Sequence, residues 1–283
     1  MSKDKLRQIY ISIICIAAVG AVVCVIGMIH TLKQYSDSKK TYDDLNKMVK
    51  VDAPAAVDND NTVTKEPIIA ENNDDVEEEA EDKIDIPVSL EADFESLKAI
   101  NPDVVGWIVY EPIELSYPVV KDKGDDFYEH YSFDLEKNVA GAIFLDYICK
   151  PDLSGFNSII YGHNMRNGTM FGSLKKLLQD ESIIEKDPYF YIFTEDYAYM
   201  YRIVCTYYTT QNSRTYEVTF DDSIDEIRSY VDYMNEVGVY KDVDFFNEPV
   251  SEDLKLATLS TCHGLHSKER TVIHGVLVAK QER

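Results

Sequence analysis

The chain has 283 residues, 45% of them apolar and 28% charged, which suffices to bury a domain-sized core and excludes both a wholly disordered chain and a polytopic membrane protein. Acidic residues outnumber basic ones by 51 to 28, a net charge of −23, so no nucleic-acid partner is expected: a phosphate backbone needs clustered Lys and Arg. Five cysteines in this length do not make a disulfide scaffold. The charge is also uneven, +4 over residues 1–51, −11 over 52–85 and −16 over the remainder, which marks three regions.

The first region contains Ile11 to Ile29, a run of 19 residues without a charge. As a helix it spans about 28 Å, close to the hydrocarbon thickness of a bilayer. The run is apolar on every face and flanked by charge, which disfavours a buried core helix. It is longer than the apolar stretch of a cleaved signal peptide, and Met28-Ile29-His30 is not a small-x-small cleavage site. Ile14 before Cys15 argues against a lipoprotein signal. An uncleaved anchor is therefore expected over residues 1–32. Lys3, Lys5 and Arg7 precede the span while Lys33, Lys39 and Lys40 follow it, so charge alone does not orient it.

Residues 33–85 read as a short helical stalk followed by an acidic linker. The stretch ENNDDVEEEAED has low hydropathy and dense like charge, the composition of a self-repelling disordered spacer. It lacks the ligand spacing of a calcium loop, and no metal or cofactor is expected anywhere in the chain.

A globular pattern occupies residues 86–283. Ser89 is positioned to cap a helix carrying Leu90, Phe94, Leu97 and Ile100 at helical spacing, stopped by Asn101-Pro102. Short runs rich in Val, Ile, Tyr and Thr then predict eight strands, at 104–110, 117–121, 140–146, 157–161, 189–194, 197–210, 255–262 and 271–280. Helical patterns interrupt them at 171–178 and 223–237. Many strands and few helices predict a mainly β fold, an eight-stranded, closed or nearly closed β-barrel with helical inserts.

Two strand ends carry reactive residues. Ile159-Ile160-Tyr161-Gly162 leads into His163, and Thr258-Leu259-Ser260-Thr261 leads into Cys262. A strand end holds a reactive group rigidly while loops shape the pocket. Cysteine with a distant histidine is the minimal equipment for thiol nucleophilic catalysis, and Arg270, at the start of the last strand, offers a cation for an oxyanion. Each of the three also has an ordinary structural reading, as a small buried hydrophobe, a turn residue and a surface cation. Cys149 and Cys205 read as buried thiols, with a bond between them as the alternative.

The TLSTC block, Thr258 to Cys262, with Arg270 at a strand start, resembles the signature of sortases. The block YGHNMRNGTMFGSLKKL, Tyr161 to Leu177, and the helical insert before the TLSTC strand are similar to class B sortases in particular. The resemblance implies a membrane-anchored cysteine transpeptidase (a thiol protease by chemistry) on the surface of a Gram-positive cell, with Cys262 as nucleophile, His163 as general acid/base and Arg270 as oxyanion or substrate stabiliser. It implies that the enzyme cleaves a C-terminal sorting motif of secreted proteins through a thioacyl intermediate and joins them to a peptidoglycan amine. It also implies a cytoplasmic N-terminus and an extracellular domain. Asn164, Ser260 and Thr261, beside the reactive residues, are expected substrate contacts. His263 and His266 lie outside the shared motif; alternation turns His263 away from Cys262, and His266 is the rival base. A lysine amine of a pilin subunit is the alternative acceptor, and a catalytically inactive extracellular binding module the alternative from another class.

Overall fold

A computed structural model describes residues 3–52, 85–217, 223–261 and 268–283. The first helix, α1 (Lys3–Asn46), is unbroken for 44 residues, about 66 Å at the usual rise. It contains the apolar span with every large side chain of that span exposed, and among the described residues it is the one helix long and apolar enough to cross a membrane. Its last turns behave differently: Tyr42 and Leu45 are buried in the core of the globular body.

Strand β1 (Val49–Asp52) follows and pairs antiparallel with β2 (Ser89–Ala92). One expectation changes as a result. Ser89 is a strand residue rather than a helix cap; α2 (Phe94–Ile100) begins later, and the Asp93 carboxylate caps it by accepting from Ser96 N at 3.0 Å. The partner of Ser89–Ala92 lies some forty residues upstream, which no local pattern reveals. Asp52 pairs with Ser89, so described residues on either side of the acidic stretch are hydrogen-bonded neighbours. The segment itself, 53–84, lies outside the described residues.

The remaining elements are β3 (Val104–Tyr110), β4 (Leu115–Lys121), α3 (Phe127–His130), β5 (Ile143–Leu145), β6 (Asn157–Gly162), α4 (Lys175–Gln179), α5 (Ser182–Lys186), β7 (Tyr189–Phe193), β8 (Tyr197–Thr210), α6 (Ile224–Val237), the two-residue β9 (Tyr240–Lys241), α7 (Val243–Asn247), β10 (Leu256–Thr261) and β11 (Glu269–Glu282). In space the order is β11-β10-β6-β5-β4-β3-β7-β8, and β8 pairs back onto β11, so eight strands close a barrel and β9 is appended to β8. The two long strands, β8 and β11, pair from Glu269↔Thr210 to Glu282↔Tyr197, with irregularities at His274/Gly275 and Leu277/Ala279 that bend the closure. The strands supply Trp107, Ile108, Val120, Ile143, Ile159 and Phe190 to one buried apolar cluster. Helix α6, capped by Ser223, lays Ile227, Tyr230, Val231 and Met234 over a second apolar cluster outside the barrel. Cys149 and Cys205 are both buried free thiols.

One polar group is sealed within this packing. His274 on β11 has no solvent exposure; Tyr207 OH and Thr258 Oγ1 bond its two ring nitrogens at 2.8 Å each. Burial depresses its pKa to about 3. The unfolded chain, with a histidine pKa near 6.5, therefore binds a proton in the window between about 3 and 6.5 that the folded protein refuses. Stability contributed by this neutral imidazole is complete above pH 6.5 and declines as pH falls, with a limiting slope of about 1.4 kcal/mol per pH unit. Denaturant unfolding of the wild type between pH 7.5 and 4.5 is expected to show this slope, and His274→Gln to show a flatter profile; parallel profiles would contradict the assignment.

Candidate active site

Three strand ends share one edge of the barrel. β6 and β10 are parallel neighbours in a register that pairs Ser260 with Tyr161 and Thr261 with Gly162. β11 returns antiparallel beside β10, with Ser260 opposite Val272, and Thr271 N donates to Thr261 Oγ1 at 2.8 Å. His163 follows the end of β6, and Arg270 lies at the start of β11. Cys262, one residue beyond the end of β10, lies outside the described residues, as do His263 and His266.

His163 is half-buried, and its Nε2 lies 2.7 Å from the carbonyl oxygen of Glu129, the third residue of α3. A carbonyl only accepts, so Nε2 carries the proton and Nδ1 is the ring nitrogen left to exchange one. Gly141, at φ +56°, packs against the same edge of the imidazole: a Cβ there would lie 2.5 Å from Tyr128 O, 2.8 Å from His163 Cδ2 and 3.0 Å from Glu129 O. After His163 the chain doubles back through an Asn164↔Met170 bridge, and Met170 N donates to Tyr117 OH at 3.0 Å. Asn164 is exposed at the rim.

Arg270 sits between two aromatic faces. Its guanidinium carbon is 5.8 Å from the Tyr161 ring centroid and 5.3 Å from that of Tyr216, distances at which the ring quadrupoles attract a cation. The two rings themselves stack at 6.0 Å. Burial, with Asp146 beside it, pushes the Tyr161 phenol far above its ordinary pKa, so Tyr161 stays a neutral platform. Arg270 Nε is buried and has no hydrogen-bond partner among the described residues. The tyrosine pair was not singled out in sequence: position 216 is 54 residues from 270, and nothing distinguishes it among 20 tyrosines.

Ser260 and Thr261 differ from the expectation of substrate contact. Both side chains are buried; Ser260 Oγ meets Tyr216 OH at 2.9 Å, and Thr261 Oγ1 accepts from Thr271 N. Their hydroxyls are occupied in holding the strand end against its neighbours.

The family model for the Sortase domain matches residues 108–278, most of the barrel, and the chain belongs to the sortase family. Its relatives lie in one branch. It is 34% identical over 190 residues to sortase B of Listeria monocytogenes, covering 66% of this chain and 75% of the relative, and 31% identical over 189 residues to sortase B of Staphylococcus aureus, covering 66% and 73%. Among solved structures, a sortase B complex from B. anthracis superposes with a TM-score of 0.65 at 26% identity over 88% of this chain and 99% of that one. The S. aureus sortase B–substrate complex gives 0.59 at 28% identity over 66% and 84%. The protein is thus a class B sortase, a cysteine transpeptidase, on an eight-stranded barrel.

Gly141→Ala is expected to cost about 1–2 kcal/mol from the left-handed backbone alone and to push the imidazole aside, lowering turnover on the order of tenfold or more. Urea denaturation and peptide-cleavage kinetics check this; an alanine variant with wild-type turnover would contradict the packing described around His163.

Proposed function

We infer that Cys262 is the nucleophile, His163 the acid/base and Arg270 the oxyanion stabiliser of a transpeptidation that links secreted surface proteins to a peptidoglycan amine. The observation that carries this reading is the double register of β10. Thr261 pairs with Gly162, the residue before His163, and Ser260 pairs with Val272, two residues after Arg270. The other thiols support the same choice. Cys15 and Cys24 lie in the apolar span, and burial pushes the Cys149 and Cys205 thiols up to about 11 and about 12, which disfavours the nucleophilic thiolate.

In this reading the Cys262 thiolate attacks the carbonyl carbon at the scissile bond of the sorting motif. The tetrahedral oxyanion forms beside Arg270, whose guanidinium the Tyr161 and Tyr216 rings hold in place. As the C–N bond breaks, imidazolium His163 gives its Nδ1 proton to the departing amine, and a thioester remains. An incoming peptidoglycan amine then loses a proton to the same nitrogen, attacks the thioester, and Cys262 leaves as thiolate. The Glu129 carbonyl keeps the opposite ring nitrogen protonated throughout, so one face of the imidazole does all the proton exchange. Asn164, exposed beside His163, is the proposed polar contact for the bound peptide. Ile11–Ile29 anchors the enzyme, N-terminus in the cytoplasm and barrel on the outer face of a Gram-positive membrane.

Profiling a peptide library with the full chain in detergent would identify a fluorogenic sorting peptide. On that peptide Cys262→Ala is expected to abolish cleavage without loss of fold. His163→Ala should lose most activity, a drop on the order of 10² or more, while His263→Ala loses little. Turnover by Cys262→Ala, or the reverse order of the two histidine variants, would refute the assignments.

A further inference from the structure

The membrane-proximal end of α1 reaches the catalytic histidine through one side chain. Tyr42 is buried, and its OH donates to the Gly141 carbonyl at 2.7 Å. Gly141 is the residue whose α-carbon lies against the His163 ring. The segment leading to it, 127–142, also supplies the Glu129 carbonyl that binds His163 Nε2, and Tyr128 O ties it back through Ala142 N at 2.9 Å. Two further bonds fasten the same segment to α1: Thr41 Oγ1 to the Asp134 carboxylate at 3.1 Å and Asn138 to the Gln34 carbonyl at 3.4 Å. On its other side the Tyr42 ring meets Tyr117 edge-on, centroids 5.2 Å apart, and Tyr117 OH accepts from Met170 N, which closes the loop that His163 opens.

We propose that Tyr42 is a positioning residue for His163, so that the last turns of the membrane helix form part of the catalytic scaffold rather than only a tether. The inference rests on His163 being the acid/base, as argued above. Tyr42 touches no reacting atom. It braces the Gly141 backbone that packs on the imidazole through its hydroxyl, and through its ring it packs on Tyr117, which holds the loop that follows His163. Without the hydroxyl, the Gly141 peptide loses the bond that directs its carbonyl into α1 and becomes free to rotate, and the stop behind the ring loosens.

The test uses the full chain in detergent and the library-selected fluorogenic peptide. Tyr42→Phe, which keeps the ring, is expected to lower kcat about fivefold, the equivalent of one ordinary hydrogen bond, with KM within about twofold of wild type. Tyr42→Ala should lower kcat tenfold or more, again with little change in KM. The His163 ring resonances in NMR spectra should shift in both variants. Tyr110→Phe is the matched control, since Tyr110 OH makes the same kind of bond, to Asp187 O at 2.7 Å, between β3 and the turn before β7; its kcat and His163 resonances should stay at wild-type values. If Tyr42→Ala fails to fold, Tyr42→Phe decides. Wild-type kcat and His163 resonances in Tyr42→Phe, alongside an inactive His163→Ala, would overturn the positioning role alone. Activity retained by His163→Ala would overturn both this role and the acid/base assignment.

Discussion

The parallel pairing of β6 with β10 is the constraint on which the active site depends. Parallel strands end at the same edge of a sheet, so Gly162 and Thr261 reach that edge side by side. The antiparallel neighbour β11 starts where β10 stops, which brings Arg270 to that edge as well. Had β10 run the other way, its C-terminal end would lie about 17 Å from His163, five residues of strand, and no rotamer spans that gap. A slip of one residue moves the end by about 3.3 Å and turns every side chain to the other face of the sheet. The chemistry therefore tolerates one topology and one register.

Buried polar groups make that register unique. Thr258 on β10 donates to the Asn157 side chain on β6 at 2.6 Å and meets His274 on β11 at 2.8 Å, so one hydroxyl locks three adjacent strands. The network continues through Tyr207 on β8 to Thr215, and Asn157 donates to Tyr230 on α6, whose hydroxyl donates to the Thr215 carbonyl. Each of these groups would cost about 1–3 kcal/mol if left buried without a partner, so any slipped pairing is penalised several times over. Apolar strands alone discriminate poorly between such alternatives. The path also ends usefully: Thr215 precedes Tyr216, whose ring lies against Arg270 and whose hydroxyl meets Ser260. Helix α6 thus bears on the arginine through the Tyr230–Thr215 hydrogen bond and the adjoining Tyr216 ring.

Sequence reasoning reached the parts of this arrangement that are written locally. The runs at 104–110 and 197–210 coincide with β3 and β8 because β-branched and aromatic residues between turn signals need no distant partner to be recognised. Ser223 and the spacing of Ile227, Tyr230 and Met234 likewise define α6 from within. What escaped was non-local. Ser89–Ala92 carries a plausible cap and apolar spacing, yet hydrogen bonds to Val49–Asp52 outweigh that local preference. Ser260 and Thr261 sit in a reactive motif, but their neighbours across the sheet bury them. Tyr216 and Gly141 shape the site through contacts that span tens of residues, and nothing in their own surroundings marks them.

The same non-local contacts change what the N-terminal region does physically. An acidic spacer between anchor and barrel would let the active site wander over tens of ångströms from the bilayer. Instead α1 enters the body directly, through Tyr42, Leu45 and the Asn46 side chain, which accepts from Ser116 Oγ at 2.8 Å. With the span in a membrane, Tyr42 stands 13 residues past Ile29, about 20 Å along a continuous helix. The height of the His163 edge is then set by helix geometry. Such a fixed height holds the site in one layer above the span rather than letting it sample a volume.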